Sequence, residues 1–265
     1  MPDHFLTGHE SDMRDTNNMQ EAAGCAPIAV DALTPETFAA MIDHTFLKPF
    51  GKPADIERLC DEARRYGFAM VAVNPAETAR CVDLLRGSGV RTGAAIGFPL
   101  GQNTSETKAF EIRDAIAKGA GEIDMVVNLR ALQSGDHELV QTELDDLAAV
   151  CRASGVISKV ILETCYLNDD EKRSVCRMAC AAGVDFVKTS TGFGTGGATV
   201  ADILLMREAV GPAMGVKASG GVRTLDAALS MIRAGATRIG TSSGVALVEE
   251  LRTRLAGEGA EALSL

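Results

Sequence analysis

The chain has 265 residues, 46% hydrophobic and 23% charged, which suffices for one large α/β domain with a substantial core. Aromatic residues make up only 4% and Trp is absent, so the apolar content is mostly Ala, Val, Leu, Ile and Met, the usual filling of a parallel sheet covered by helices. A formal net charge of −10 argues against a general nucleic-acid binder, which needs surplus Lys and Arg, yet a small anionic substrate can still be held by backbone N–H groups.

Residues 1–33 are polar and irregular and are expected to form a flexible tail of no assigned function. The stretch holding His4, His9, Glu10 and Asp12 has no apolar segment of the kind a signal peptide carries. No apolar run approaches the roughly 20 residues needed to cross a bilayer, so a cytoplasmic protein without membrane partners is expected. The seven cysteines are odd in number, contain no CxxC and mostly fall in helix-like segments, against a disulfide framework or zinc cluster. Cys176 and Cys180 would share a helix face and read as small core residues.

Order is expected from Thr34-Pro35-Glu36, where Thr can cap a short leading helix and Pro suits its first position. Two kinds of segment then alternate. Short apolar runs occur at 41–44, 70–73, 93–96, 123–127, 160–162, 184–187, 214–217 and 237–240. Longer segments with charges at helical spacing follow, at 53–66, 75–87, 105–118, 137–153, 169–182, 200–210, 224–234 and 243–256. Several end in Gly, as in Tyr66-Gly67 and Ala182-Gly183, which stops a helix before a buried strand. Eight such pairs make a (β/α)8 TIM barrel over residues 34–258, with 259–265 a C-terminal tail. An open doubly wound sheet is the alternative, but no GxGxxG follows the first strand.

In a barrel the chemistry lies at the C-terminal ends of the strands. Four histidines, two of them in the tail, cannot assemble a His-based metal site, and no metal or cofactor is expected. His137 is expected at the start of a helix, and His44, after the first strand, reads as a hydrogen-bonded structural residue. Six of the eight lysines fall in loops, in helices or at the beginning of a strand, where a solvated role is the default. Lys188 and Lys217 instead end the sixth and seventh strands.

Period-two alternation puts Val184, Phe186 and Lys188 on one face, and Gly215, Lys217 and Ser219 on one face. If those faces point inward, two ammonium groups converge, and each lowers the other's affinity for its proton. Bringing an amine from ~10.4 to near 7 takes roughly 4 to 5 kcal/mol. An outward-snorkelling or structurally paired lysine is the other reading. Asp124, inside the apolar strand 123–127, needs a partner that an inward lysine would supply. Such a set offers a nucleophile, a cation that lowers its pKa and a proton shuttle. The glycine- and hydroxyl-rich stretches Thr189-Ser190-Thr191-Gly192, Ser219-Gly220-Gly221 and Gly240-Thr241-Ser242-Ser243 follow the last three strands and suit a phosphate.

Phe186-Val187-Lys188-Thr189-Ser190-Thr191-Gly192, Val216-Lys217-Ala218-Ser219-Gly220-Gly221-Val222-Arg223 and Glu122-Ile123-Asp124-Met125-Val126-Val127-Asn128 resemble motifs of the deoxyribose-phosphate aldolases. So do Ile42-Asp43-His44-Thr45, Ile96-Gly97-Phe98-Pro99-Leu100-Gly101 and Lys159-Val160-Ile161-Leu162-Glu163-Thr164. The resemblance runs in order from about residue 41 to 245. It implies a barrel fold and reversible aldol cleavage of 2-deoxy-D-ribose 5-phosphate to D-glyceraldehyde 3-phosphate and acetaldehyde. It also implies a Schiff base on Lys188, a pKa-lowering Lys217 and proton relay by Asp124. Thr191, Gly192, Gly220, Gly221, Gly240, Ser242 and Ser243 would hold the phosphate, and a homodimer is implied. Two departures stand out. Phe193 occupies a position where some members carry Lys, which shifts phosphate binding onto backbone groups. The chain ends Leu263-Ser264-Leu265, where some members place a Tyr at the active site. Another Schiff-base aldolase of this fold, or a phosphosugar-binding protein without catalysis, are the competing readings.

Overall fold

A computed structural model describes residues 27–258. Its eight parallel strands are Ile42–Phe46 (β1), Met70–Val73 (β2), Arg91–Ile96 (β3), Glu122–Val126 (β4), Ile157–Ile161 (β5), Phe186–Lys188 (β6), Gly215–Ser219 (β7) and Arg238–Thr241 (β8). They close in chain order into a barrel, with β8 hydrogen-bonded back to β1. This is the barrel expected from periodicity, and the doubly wound alternative is ruled out by the closure.

Most of the helices have the expected bounds, and their ends show why. Pro53–Tyr66 and Asp169–Ala182 both stop at a glycine in the left-handed region, Gly67 and Gly183, whose N–H caps the last turn. Thr34 caps the short helix Pro35–Ala39 by accepting from the Thr37 N–H, and Asp136 caps the helix that starts at His137. The segment 75–87 departs from expectation: a 3₁₀ turn at Pro75–Glu77 precedes a short helix, Thr78–Leu84. Gly87 and Gly89, both at positive φ, end it early.

The tail boundary also shifts. Val30–Ala32 forms a 3₁₀ turn, and Val30 and Leu33 are buried against the main core. Residues 1–26 and 259–265 lie outside the described residues, and with them Cys25, His4, His9 and the chain end. Cys176 is buried as expected, whereas Cys180 is exposed on the same helix. Among the described residues, no helix is long and apolar enough to cross a membrane.

The strands divide the apolar residues unequally. Val71, Val73, Ala94, Ile96, Ile123, Met125, Val160, Val187, Val216 and Ile239 join the helices in one large core outside the barrel. Inside it, Ile157 and Phe186 form a separate apolar pair. Val184 belongs to the outer core and precedes β6, so the alternation expected over 184–188 holds only from Phe186 onward. Gly215 faces Phe186 across the β6–β7 pair, and a Cβ there would run into the Phe186 ring. The rest of the barrel interior is where charge collects.

Candidate active site

Lys188 and Lys217 sit opposite each other in the β6–β7 register, and Asp124 sits opposite Lys159 in the β4–β5 register. All four side chains are buried. Asp124 is the hub. Its Oδ2 accepts from Lys188 Nζ at 2.7 Å and from Lys217 Nζ at 2.7 Å, while its Oδ1 accepts from Lys159 Nζ at 2.8 Å. The convergence expected from strand alternation is therefore present, and the outward-snorkelling reading of the two lysines is excluded.

Beneath this layer lies a second one that the sequence reading missed. Lys159 also donates to Glu122 Oε2. Arg238 donates to Asp43 Oδ1 at 2.6 Å and to Glu122 Oε1 at 3.2 Å, and Lys217 Nζ lies 2.5 Å from Asp43 Oδ2. Lys159 was expected to be solvated at the beginning of a strand. It is instead central in β5, fully enclosed, because the strand starts at Ile157 and alternation from there turns residue 159 inward. Lys108 corrects the same expectation: it is buried on its helix, donating to Glu143 Oε2 at 2.7 Å and to the Val126 carbonyl at 3.0 Å.

The electrostatics follow from the partner lists. Burial pushes the Lys188 amine down, Asp124 pulls it up, and the ammonium groups of Lys217 and Lys159 push it down again, leaving it at about 8. Lys159 is also penalised by burial, but Asp124, Glu122 and Asp43 together raise it above the ordinary lysine range. Burial would raise Asp124, yet Lys159, Lys188 and Lys217 hold it well below the usual carboxylate range. Asp43, likewise opposed by burial, is held at about 2 by Lys217, Arg238 and Lys159. Inside the barrel the four cations Lys159, Lys188, Lys217 and Arg238 outnumber the three carboxylates Asp43, Glu122 and Asp124 by one. Lys188, whose only carboxylate hydrogen bond among the described residues is to the shared Asp124, is the member whose discharge balances the set.

Above Lys188 a cavity of about 470 Å³ opens at the C-terminal ends of the strands. Lys188, Thr191, Gly192, Gly220, Gly221, Gly240 and Ser242 all line it. Ser243 does not: its N–H donates to Thr241 Oγ1 at 3.0 Å, tightening the turn into the last helix, Gly244–Glu258. Gly220 and Gly221 both have φ near +80°, which turns this loop back over the cavity. Gly240 is small for another reason, since a Cβ there would meet Ser219 Oγ and lie 3.1 Å from Lys217 Cε. Phe193 is half-exposed at the rim and packs edge-on against Phe98, with ring centroids 5.4 Å apart. Arg58, Arg223 and Lys48 supply the cationic side chains of the cavity wall. His44 also lines it; its Nε2 pairs with Glu62 Oε2 at 2.7 Å, as expected for a structural histidine, and burial lowers its pKa.

A closed parallel barrel with an amine of depressed pKa at the floor of its mouth defines an α/β-barrel enzyme equipped for carbonyl chemistry. The chain belongs to the DeoC/LacD family of aldolases, whose model matches residues 37–249. It is 67% identical over 217 residues to a deoxyribose-phosphate aldolase of Bacteroides thetaiotaomicron, covering 82% of this chain and 91% of that one. A deoxyribose-phosphate aldolase of Lysinibacillus sphaericus is 54% identical over 216 residues, covering 82% and 96%. Among solved structures, the tetrameric deoxyribose phosphate aldolase of Aeropyrum pernix superposes with a TM-score of 0.79 at 34% identity, covering 91% of this chain and 98% of that one.

Proposed function

We propose that the chain cleaves 2-deoxy-D-ribose 5-phosphate reversibly to D-glyceraldehyde 3-phosphate and acetaldehyde through an imine on Lys188. The observation that carries this reading is the amine of Lys188, buried at the barrel mouth and held at about 8, where a useful fraction is unprotonated near neutral pH. The free amine adds to the C1 carbonyl of the open-chain sugar, and loss of water leaves a protonated imine. Removal of the C3 hydroxyl proton then breaks the C2–C3 bond. Its electrons flow into the iminium to give an enamine, and the three-carbon aldehyde phosphate departs. Protonation of the enamine at C2 and hydrolysis release acetaldehyde and restore the amine. Asp124, which accepts from both the reacting amine and Lys217, and Lys217 itself are the groups assigned to move these protons with water. No metal or cofactor takes part in this scheme.

The phosphate is assigned to Thr191, Gly192, Gly220, Gly221, Gly240 and Ser242 on the cavity wall and to Ser243 next to them, whose backbone N–H is engaged by Thr241. With Phe193 at the rim in place of a cation, that contact is assigned to backbone N–H groups at these glycines together with the cationic side chains of Arg58, Arg223 and Lys48 on the wall. The same reading makes a cytoplasmic homodimer whose catalytic domain runs to residue 258 and includes Val30 and Leu33 ahead of the expected start at Thr34.

The test is borohydride trapping with acetaldehyde followed by peptide mass spectrometry. A reduced two-carbon adduct on Lys188 is expected. An adduct on another lysine would reject the assignment, and phosphosugar binding with no adduct at all would favour a non-catalytic binding protein.

A further inference from the structure

Glu163 is the one non-glycine among the described residues with positive φ, at φ 55° and ψ 60°. It lies just past β5, and the ladder between β5 and β6 continues on both sides of it. The Leu162 N–H donates to the Lys188 carbonyl at 2.9 Å, and the Thr164 N–H donates to the Thr189 carbonyl at 3.0 Å. A left-handed glutamate is strained backbone, so the surroundings must impose it. What it achieves is visible in its hydrogen bonds. Turned out of the strand direction, the carboxylate accepts from the Thr191 N–H at 3.2 Å and 3.3 Å and from the Thr191 hydroxyl.

This carboxylate is buried, 2% exposed, and among the described residues no cation is its hydrogen-bond or ion-pair partner. Burial raises its pKa, and Thr191 and the nearby Lys188 oppose that rise. Gly194 closes over it: a Cβ there would lie 3.2 Å from the carboxylate and 2.9 Å from Cys165 Sγ. Thr191 Oγ1 in turn accepts from the Phe193 N–H at 3.0 Å, so the clamp extends across the loop that carries Gly192.

We infer that Glu163 is a positioning residue that fixes the Thr191–Gly192 edge of the cavity and thereby sets affinity for the phosphate end of the substrate. It acts through Thr191 and does not line the cavity itself. The inference rests on the proposed phosphate assignment. Its cost is the strained backbone, and its return is a loop held in place before substrate arrives.

The test compares Glu163→Gln and Glu163→Gly with the parent chain, using 2-deoxyribose 5-phosphate and unphosphorylated 2-deoxyribose. Glu163→Gly tolerates the left-handed backbone, so it deletes the clamp without adding strain. Expected is a rise of about tenfold in KM for the phosphorylated sugar in Glu163→Gly and a smaller rise in Glu163→Gln, as for loss of one or two hydrogen bonds. kcat, kcat/KM for 2-deoxyribose and the rate of acetaldehyde trapping should stay within about twofold. A parallel loss on both sugars, or no change on either, overturns the positioning role alone. A parent chain that shows no preference for the phosphorylated sugar and no inhibition by inorganic phosphate overturns the phosphate assignment, and this inference with it.

Discussion

Lys159 and Lys188 stand on neighbouring strands, both buried and both donating to Asp124, yet their amines are driven in opposite directions. Burial penalises each of them first. The difference is in the company. Lys159 reaches Glu122 as well as Asp124, with Asp43 4.0 Å away, whereas Lys188 has one carboxylate that two other lysines share. A barrel interior can therefore hold a permanent cation and a dischargeable amine about one layer apart. Carboxylates concentrated at the floor keep the lower lysine charged, and their scarcity at the mouth leaves the upper one close to neutrality.

The largest effect expected from this contrast is on turnover. Lys188→Leu should lower kcat by at least ~10⁴-fold, since the substitution removes the amine assigned to form the imine. Its Tm should not fall, because the substitution removes a buried amine that was poorly compensated. Lys159→Leu should do the reverse to stability. It strips Glu122 and Asp124 of a partner inside the barrel and should destabilise by about 3–5 kcal/mol in urea unfolding. If Lys188→Leu proves as destabilising as Lys159→Leu, the two layers are not distinct and the comparison fails.

How much of this was legible beforehand follows the same division. The mouth was readable because Lys188 and Lys217 end short apolar runs and Asp124 interrupts another, so single charges stand out against Val and Ile. The floor was not. Asp43 and Arg238 lie within the short runs 41–44 and 237–240, too short for alternation to show which face they take, Glu122 falls just before the run 123–127, and Lys159 was misplaced because Ile157-Ser158 was not counted as strand. Barrel closure is what encloses them, and closure is a property of eight strands together. The glycine loops were found, but the bond by which the Thr241 hydroxyl engages the Ser243 N–H is one that spacing cannot reveal. Glu163 was visible only as part of a motif; its backbone conformation has no sequence signature of its own.

A smaller effect is expected in the pH dependence of stability. Lys188 is held at about 8 in the folded chain against an ordinary 10.5, so between those values the unfolded chain binds more protons. Stability contributed by this group therefore rises with pH across that window, and below pH 8 the full penalty is present. The parent chain should gain up to about 3 kcal/mol on Lys188→Leu as pH is raised from about 8 to about 10.5. A constant difference across that range would mean that the amine is not depressed.

The smallest expected effect, and the most discriminating, belongs to Lys217→Leu. Burial is the first cause of the Lys188 depression and the Lys217 ammonium only a later one, so removing Lys217 should return part of the shift. Asp43 loses Lys217 from its Oδ2 but keeps its 2.6 Å bond to Arg238 at Oδ1, so one anchor of the floor remains. The rate of acetaldehyde trapping on Lys188 should then rise with pH along a limb displaced upward from about 8 but short of 10.5. Each unit of displacement removes about tenfold of the free amine at neutral pH. A role for Lys217 in proton relay alone would lower kcat at every pH and leave the trapping limb where it is. A stationary limb would therefore reject electrostatic tuning by Lys217 and assign the depression of Lys188 to its enclosure.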